Sequence, residues 1–294
     1  MYGLIINEKA GNGKGERIWK NIAIAFRNKN IPFLLRFTER PHHGSELVRH
    51  MLEKGVTKVI VVGGDGTIHE VAKELVYKNI SLGIIPTGSG NDFARSLGVP
   101  MNDVKALERI FADDVKQVDL LHLGDHYCLT VTGIGLDGSI AKHANESIYK
   151  RYFNQFRLGG LAYIASIIST LQSYEPTKVK VMMDGVVHNF SEVWLVAVAN
   201  APNYAGGIQI CPEALQNDGL LNVCIVHGLK KWEVLRLLPK AYKGKHQLDN
   251  HVTFLKGEDV FIQSDPPVLV QSDGEFIMES PTHITVEKDA LRVV

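Results

Sequence analysis

Two glycine-rich loops, each between an apolar strand and a helix, constrain the fold of this chain most strongly. The first loop is residues 63–67 (Gly-Gly-Asp-Gly-Thr), which follow the apolar run 59–62. The second is residues 86–95, which follow the apolar run 82–85. Loops of this kind bring backbone N–H groups close to phosphate oxygens, and the following helix adds a favourable dipole. The pattern predicts an open α/β sheet whose strand ends bind phosphate.

The first 115 residues alternate between strand-like and helix-like patterns. Strands are predicted at residues 3–7, 33–38, 59–62 and 82–85, with amphipathic helices between them. Fully apolar strands that alternate with helices predict a parallel sheet with helices on both faces. After the first loop, Ile68, Val71 and Leu75 have helical spacing, and Thr67 and Glu70 have the spacing of a capping box.

The pattern changes near residue 115 to short β-runs. Residues 116–123 and 126–132 flank Gly124-Asp125, and residues 178–183 and 186–190 flank Asp184-Gly185, so two hairpins are predicted. Helical insertions are predicted at residues 158–171 and 230–242. We therefore expect two domains, an α/β nucleotide-binding domain at residues 1–122 and a mostly antiparallel β acceptor domain at residues 123–280. The segment 281–294 is a candidate to return to the first domain.

Composition excludes several classes of protein. Lys and Arg number 32 and Asp and Glu number 32, so no basic excess points to nucleic acid. Three cysteines without C-x-x-C spacing predict neither disulfides nor a zinc cluster, which fits a reducing cytoplasm. The start of the chain lacks the features of a signal peptide, and the apolar stretch 158–171 is shorter than the ~20 residues that span a bilayer.

The loops carry side chains suited to nucleotide binding. Asp65 and Thr67 in the first loop offer a carboxylate and a hydroxyl, and the second loop offers hydroxyl, amide and carboxylate groups. A third loop, residues 7–15, follows the first strand and could place Lys14 near a phosphate, although it has neither Walker A nor G-x-G-x-x-G spacing. The alternative for the first loop, taken alone, is a tight turn with an Asp helix cap.

Five motifs together resemble the diacylglycerol kinase catalytic-domain superfamily, which includes bacterial soluble lipid kinases, sphingosine kinases and ceramide kinases. They are residues 63–67, 86–95, 133–138, 217–220 and 272–275, and the resemblance itself runs nearly end to end. The first motif is shared with NAD kinases and phosphofructokinases, whereas residues 90–95 and 273–275 point to the lipid kinases. Family members often carry Asn-Pro after the first strand, where this chain has Asn7-Glu8.

The resemblance implies that ATP is contacted by Thr38, by residues 64–67 and by Ser89, and that Asp65, Asp92 and Asp119 form an acidic network around a water-bridged Mg²⁺. It also implies a structural Mg²⁺ held by Leu215, Asp218 and Leu220, where the alternative is an ordinary Asp-Gly turn. The predicted nucleotide-binding set, loop residues included, is Asn7, Lys14, Thr38, Gly63, Gly64, Asp65, Gly66, Thr67, Ser89, Asn91, Asp92 and Asp119.

Transfer of a phosphoryl group to an alcohol requires a carboxylate that takes the hydroxyl proton. Family members have been interpreted with this base either in the Asp-Gly-Glu motif or in the first loop. We rank Asp273 first, and Glu275 and Asp65 next. The alternative for Asp273-Gly274 is a type I′ hairpin turn without a catalytic role.

The sequence therefore predicts an ATP-dependent lipid kinase with diacylglycerol as its default acceptor, acting from the cytoplasm at the inner face of the membrane. The alternatives are an NAD kinase-type enzyme that phosphorylates a soluble nucleotide, and a non-catalytic nucleotide or lipid sensor. Residues 149–157 combine basic and aromatic side chains that could touch a lipid surface, or belong to a packed helix with solvated charges. A homodimer is compatible with the sequence, which carries no signal for oligomeric state.

Overall fold

The computed structural model describes residues 1–146 and 167–294, which form two compact units. Unit 1 comprises Met1–Asp119 with Lys288–Val294, and unit 2 comprises Leu120–Glu287. The predicted basic and aromatic segment at residues 149–157 lies outside the described residues, as does most of the predicted helix at 158–171. Residues 167–173 of that helix are described, and they are helical.

Unit 1 contains a parallel sheet, as predicted. Its strands are β1 (Tyr2–Ile6), β2 (Phe33–Phe37), β3 (Lys58–Gly63), β4 (Ser81–Pro86) and the end of β15 (Thr282–Val293), in the order β2-β1-β3-β4-β15. The register places Ile6 beside Phe37 and Val62, and Val62 beside Ile85. Every residue of β3 and β4 is buried, as expected for apolar strands covered on both faces.

Five helices connect these strands. They are α1 (Ala10–Asn28), α2 (His43–Glu53), α3 (Asp65–Ala72), α4 (Asp92–Ser96) and α5 (Asp103–Ala112). Each long helix buries one apolar stripe: α1 buries Ile22 and Phe26, and α2 buries Val48 and Met51. The helical periodicity in the sequence thus arises from packing of one face against the sheet.

The start of α3 differs from the prediction, because Thr67 and Glu70 do not form a capping box. The helix begins at Asp65, two residues before Thr67, and a glycine that offers no side-chain cap precedes it. Glu70 instead accepts hydrogen bonds from backbone N–H groups at the start of α2, including that of His42 at 2.8 Å. The first N–H groups of a helix lack intrahelical acceptors, and here a carboxylate from the neighbouring helix satisfies them.

Unit 2 is mostly antiparallel, as predicted. Its strands are β5 (Lys116–Leu123), which begins in unit 1, β6 (His126–Cys128), β7 (Val131–Gly135), β8 (Thr177–Met183), β9 (Val186–Ala199), β10 (Leu221–His227), β11 (Val252–Gly257), β12 (Asp259–Asp265), β13 (Leu269–Ser272), β14 (Glu275–Glu279) and the first part of β15. The predicted hairpins β5–β6 and β8–β9 are both present. Besides the helical residues 167–173, the described part of unit 2 contains α6 (Leu136–Glu146) and α7 (Lys231–Ala241), the latter within the predicted range 230–242.

Two apolar cores lie on opposite faces of β9. Ala197 and Ala199 belong to the core that packs under α6 and α7, whereas Val196 and Val198 belong to a core made by strands. This period of two is the usual consequence of strand geometry. Among the described residues no helix is long and apolar enough to span a bilayer. The three cysteines are buried and free.

Candidate functional site

The two glycine loops lie side by side, because β3 and β4 are neighbouring parallel strands that end at the same edge. The backbone N–H of Thr87 donates to the carbonyl oxygen of Gly63 at 2.9 Å. A side-chain carbon on Gly88 would lie 2.7 Å from Cα of Gly64, closer than real Cβ atoms approach a backbone. The two loops therefore need glycine where they meet, as the sequence pattern indicated.

Asp65 fastens the second loop to the first. Its Oδ2 accepts a hydrogen bond from the backbone N–H of Asn91 at 2.7 Å, and its Oδ1 accepts a longer one from the N–H of Phe93 at 3.4 Å. Asn91 has left-handed backbone torsions, and its Nδ2 donates to the carbonyl oxygen of Gly88 at 2.8 Å. The carboxylate of Asp65 thus sets the conformation of the loop that leads into α4.

Two carboxylates converge around Gly90, in a loop that also carries hydroxyl groups. A side-chain carbon at this glycine would lie 2.9 Å from Oδ2 of Asp65 and 3.3 Å from Oδ2 of Asp92. Nearby in the same loop, Oγ1 of Thr87 is buried and makes no hydrogen bond with the described residues. Ser89 is exposed. Two carboxylates suit a hard cation, and an unsatisfied buried hydroxyl suits a ligand oxygen.

The loop after β1 meets the same two loops. Nδ2 of Asn7 donates to Oγ1 of Thr67 at 2.9 Å, so the predicted residue contacts the first glycine loop rather than solvent. Gly11 has a positive φ of 60°, and a side-chain carbon there would lie 1.9 Å from the carbonyl oxygen of Thr87. This third loop therefore packs against the second loop at a position that requires glycine.

The other predicted nucleotide residues are placed as follows. The N–H of Thr38, directly after β2, donates to the carbonyl oxygen of Ile6 at 2.9 Å. Lys14 is exposed on α1. A side-chain carbon at Gly66 would meet nothing within 4 Å. Since β1 lies between β2 and β3, Thr38 and the glycine loops follow strands of one sheet at the same edge.

Asp119 has a structural contact that the sequence did not suggest. It is buried, and its Oδ1 accepts from the backbone N–H of Asp289 at 2.8 Å. Within residues 1–146 and 167–294 no three His, Cys, Asp or Glu side chains are grouped so as to hold a metal ion directly. The water-bridged Mg²⁺ network of Asp65, Asp92 and Asp119 stays a prediction.

In unit 2, Asp273 occupies the two-residue turn between β13 and β14. Asp273 and Gly274 both have positive φ, at 48° and 87°, as a type I′ turn requires. The Asp273 carboxylate accepts hydrogen bonds from the N–H of Leu129 at 2.8 Å and from the N–H and hydroxyl of Thr130 at 2.9 and 2.5 Å. Burial, and secondarily the Asp273 charge, raises the pKa of the Cys128 thiol, which therefore stays protonated 3.5 Å from Oδ1.

A chain of hydrogen bonds links the Asp273 turn to the interior of unit 2. The N–H of Gly274 donates to Oε1 of Gln271 at 2.7 Å, and Nε2 of Gln271 donates to Oδ2 of Asp137 at 2.7 Å. The hydroxyl of Tyr204 donates to the other Asp137 oxygen at 3.3 Å. Glu275, the second candidate base, is exposed at the start of β14.

Asp137 lines an apolar cavity of about 60 Å³ inside unit 2. Side chains of α6, β9, β10 and α7 form most of its wall, among them Leu136, Ile140, Leu195, Val226, Val234 and Leu237. Asp137, Tyr204 and His246 are the polar members of this lining. Pockets of this composition, apolar with a few fixed polar groups, are typical of small-molecule and lipid sites.

His246 is buried at the cavity wall and is neutral. Its Nε2 lies 2.9 Å from the carbonyl oxygen of Ile210, which can only accept, so Nε2 carries the proton. Burial lowers the pKa of His246, and the hydrogen bond to Ile210 opposes that change in part. The other ring nitrogen, Nδ1, is buried without a hydrogen-bond partner among the described residues.

The predicted structural Mg²⁺ position is held by other contacts. Oδ1 of Asp218 accepts from the N–H of Leu220 at 3.1 Å, and Oδ2 forms an ion pair with Nζ of Lys256 at 2.8 Å. Leu215 is exposed. In this arrangement both carboxylate oxygens are engaged, so Mg²⁺ at Asp218 stays a prediction that requires Lys256 to move.

Sequence families account for both halves of the chain. Residues 1–123 match the family described as the diacylglycerol kinase catalytic domain. Residues 130–294, more than half of the chain, match the family described as the YegS C-terminal NAD kinase beta sandwich-like domain. The chain belongs to the family of the YegS C-terminal NAD kinase beta sandwich-like domain, which here follows a diacylglycerol kinase catalytic domain match. The resemblance inferred from the five motifs is confirmed, and the chain is a kinase.

Relatives of this kinase cover nearly its whole length. The diacylglycerol kinase of Mycobacterium tuberculosis is 27% identical over 99% of this chain and 93% of its own. The probable lipid kinase YegS of Escherichia fergusonii is 29% identical over 98% of this chain and 94% of its own. A solved diacylglycerol kinase structure from Bacillus anthracis str. Sterne superposes with a TM-score of 0.76 at 25% identity, covering 100% of this chain and 96% of that one.

Sequence reasoning missed several residues that contact the candidate site residues of this kinase. Thr130 binds Asp273 from 143 residues away, and Gln271 binds Asp137 from 134 residues away. The sequence separation hides such pairs, because they come together only when strands of the β domain pair. Thr87 could have been found, since it lies inside the second glycine loop and carries a hydroxyl beside the backbone that is predicted to bind phosphate.

Proposed function

We propose that this protein transfers the γ-phosphoryl group of ATP to the hydroxyl of a lipid, with diacylglycerol as the acceptor, at the inner face of the membrane. Membership of the kinase family supports phosphoryl transfer, and the names of the relatives in Mycobacterium tuberculosis and Escherichia fergusonii support a lipid acceptor. In this proposal, residues of unit 1 bind ATP and residues of unit 2 bind the lipid.

The loops of unit 1 supply what nucleotide phosphates need. Backbone N–H groups of the glycine loops, the buried hydroxyl of Thr87 and the exposed hydroxyl of Ser89 are donors for phosphate oxygens. Asp65 and Asp92 are the acidic residues that would hold Mg²⁺ there, with Asp119 as the third member of the predicted network. When bound, the ion would neutralise charge on the transferring phosphoryl group.

The cavity of unit 2 suits the acceptor lipid. Its wall is apolar apart from Asp137, Tyr204 and His246. A volume of about 60 Å³ accommodates only a few atoms, so an acyl chain must widen the cavity as it enters. We assign the lipid to this cavity because burial of apolar chain carbons is favourable by ~25 cal/mol per Å².

Asp273 is the proposed general base. As the acceptor hydroxyl oxygen forms its bond to the γ-phosphorus, its proton passes to the Asp273 carboxylate and ADP leaves. The observation that carries this assignment is the hydrogen-bond chain from Asp137 in the cavity wall through Gln271 to Gly274, the residue after Asp273. Glu275 and Asp65 are the alternatives for this role.

A screen of lipid alcohols with labelled ATP, resolved by product mass, tests the proposal. Diacylglycerol, monoacylglycerol, a sphingoid base and ceramide are offered in vesicles, and NAD is offered in solution. We expect a phosphorylated diacylglycerol that requires Mg²⁺ and ATP. Turnover of NAD without turnover of any lipid would transfer the chain to the soluble-acceptor class, and no turnover of any acceptor would favour a sensor.

A further inference from the structure

A strongly basic segment surrounds α7 in a chain with no overall excess of charge. Residues 230–245 contain six Lys or Arg residues and a single acid, Glu233, whereas the whole chain has 32 of each sign. The acid is engaged locally, because its Oε2 accepts from the backbone N–H of Lys230 at 2.7 Å. Residues 230–245 therefore carry a local excess of positive charge.

The two faces of α7 have different partners. Val234, Leu237 and Ala241 are buried on the inner face. Trp232 and Leu235 are 49% and 36% exposed, and their spacing of three residues places them together on the outer face. A helix that is apolar on its packed face usually carries polar residues on the other, so an exposed Trp and Leu there require a reason.

The exposed apolar side chains extend beyond the helix. Leu248, in the turn after α7, is 88% exposed and lines the same shallow groove as Trp232. We call Trp232, Leu235 and Leu248, with the cations of residues 230–245, the α7 surface. Isolated exposed apolar residues are common, but a cluster of Trp and Leu marks an interaction site more often than a single residue does.

Part of the positive charge of the α7 surface is available. Lys231 is paired with Glu175 at 2.7 Å and Lys240 with Asp249 at 3.0 Å. Arg236 lies over the Trp232 ring at 4.2 Å from its centroid, so the ring carries a cation at its exposed face. Lys243 and Lys245 are exposed and make no ion pair within the part of the chain that the structure describes. The surface thus combines an interfacial aromatic residue with uncompensated positive charge.

We propose that the α7 surface docks this protein on an anionic lipid bilayer. Lys and Arg around an exposed Trp and Leu complement a negative surface that has an apolar layer beneath it, and this is the composition of interfacial helices. The inner face of the same helix lines the apolar cavity of unit 2. Docking through α7 therefore brings that cavity to within about one helix diameter, ~10 Å, of the bilayer. The docking itself needs neither ATP nor turnover, so it stands apart from the proposed reaction.

Vesicle flotation without ATP measures the docking directly. Full-length protein is mixed with vesicles of phosphatidylcholine alone, or with vesicles of phosphatidylcholine that contain about 30 mol% of the anionic lipid phosphatidylglycerol. We expect binding to the anionic vesicles that weakens as salt is raised, because the Debye length falls to ~3 Å at 1 M. Trp232 is the most exposed tryptophan described, so its emission should shift to shorter wavelength on binding.

Two double variants isolate the charge. Lys243→Gln with Lys245→Gln should weaken binding by about 25-fold, at about fivefold per cation. Lys178→Gln with Lys180→Gln removes the same charge from exposed positions on β8 and should bind like the natural chain. Leu248→Ser, at a position too exposed to affect folding, should remove part of the remaining affinity.

The proposal fails if the natural chain does not bind anionic vesicles, or if both double variants lose affinity equally. It also fails if binding is unchanged in 1 M salt and in Leu248→Ser, since neither charge nor apolar contact would then be involved. A chain that docks as expected but phosphorylates no lipid would refute the proposed function and leave the docking surface intact. A chain that phosphorylates dispersed lipid but does not bind vesicles would support the proposed function and refute the docking surface.

Discussion

Two acidic residues, Asp65 and Asp273, both hold backbone N–H groups and are both candidates for chemistry. Asp65 fixes the second glycine loop through Asn91, and Asp273 fixes the β6–β7 connection through Thr130. Replacement of either carboxylate therefore changes a loop as well as a charge. Each experiment needs a control that separates the two effects.

Asp65→Asn should weaken Mg²⁺-ATP binding together with turnover. The amide has one acceptor oxygen where the carboxylate has two, so the bond to the Asn91 N–H or the longer bond to the Phe93 N–H is lost. Titration calorimetry should show at least a tenfold loss of affinity, equivalent to about 1.4 kcal/mol. Glu70→Gln is the matched control, since it also weakens acceptors of backbone N–H groups but lies outside the loops. If Glu70→Gln lost as much ATP affinity as Asp65→Asn, the result would contradict a specific role of Asp65 in binding Mg²⁺-ATP.

Asp273→Asn should leave ATP affinity nearly intact and lower kcat by roughly 10²–10⁴-fold, as expected for loss of a general base. Thr130→Val controls for the structural role, because it removes one hydrogen bond to Asp273 but keeps the charge. Steady-state rates and thermal unfolding of both variants are the measurements. Near-normal kcat in Asp273→Asn, or an equal fall in Thr130→Val, would assign Asp273 to the turn alone.

His246 should make the stability of the protein depend on pH. Burial lowers its pKa in the folded state, so below the unfolded value of ~6.5 the unfolded chain binds a proton that the folded chain excludes. The free energy of unfolding should therefore fall as pH drops below ~6.5, by at most about 1.4 kcal/mol per pH unit from this group. His246→Gln, which keeps a donor for Ile210, should flatten that slope in urea titrations. Substitution of the exposed His126 serves as the control, and an unchanged slope in His246→Gln would contradict the assignment.

At the scale of elements, the loop before β10 allows a test of the predicted Mg²⁺ site. Lys256 and Mg²⁺ would compete for the carboxylate of Asp218 in this loop. A magnesium ion at Asp218 must displace the ammonium group of Lys256. Lys256→Gln should therefore show a larger rise in Tm with added Mg²⁺ than the natural chain, and Asp218→Ala should show none. A Tm that is independent of Mg²⁺ and chelator in both the natural chain and Lys256→Gln would return Asp218 to the role of a turn residue.

The elements also show which features a sequence can predict. The Asp-Gly turns of β8–β9 and β13–β14 were predictable, because two adjacent residues that tolerate positive φ decide the turn. The prediction of a capping box was wrong, because Glu70 accepts hydrogen bonds from N–H groups of the neighbouring helix α2. No local sequence pattern reveals that contact. The link between Gln271 and Asp137 was invisible for the same reason, since tertiary packing rather than sequence spacing chooses such partners.

For the whole molecule, the α/β and β-rich architecture was predictable from periodicity and loop chemistry, and the family match confirms it. The overall charge of zero was misleading, because it hides the basic α7 surface beside acidic residues elsewhere. Whether Lys and Arg gather on one outer face depends on which helix face packs inward. Only the folded chain supplies that information.

The sheet of unit 1 borrows its last strand from residues 288–294, with Arg292 beside Ser81 and Val293 beside Leu82. A ribosome makes residues 87–287 between β4 and that strand, which takes roughly ten to forty seconds at ~5–20 residues per second. During this interval the edge of β4 has no partner, and unpaired strand edges promote mispairing with other chains. Each newly made molecule is therefore exposed to mispairing at β4 until residues 288–294 have been made. Slow translation of unit 2 would prolong that interval.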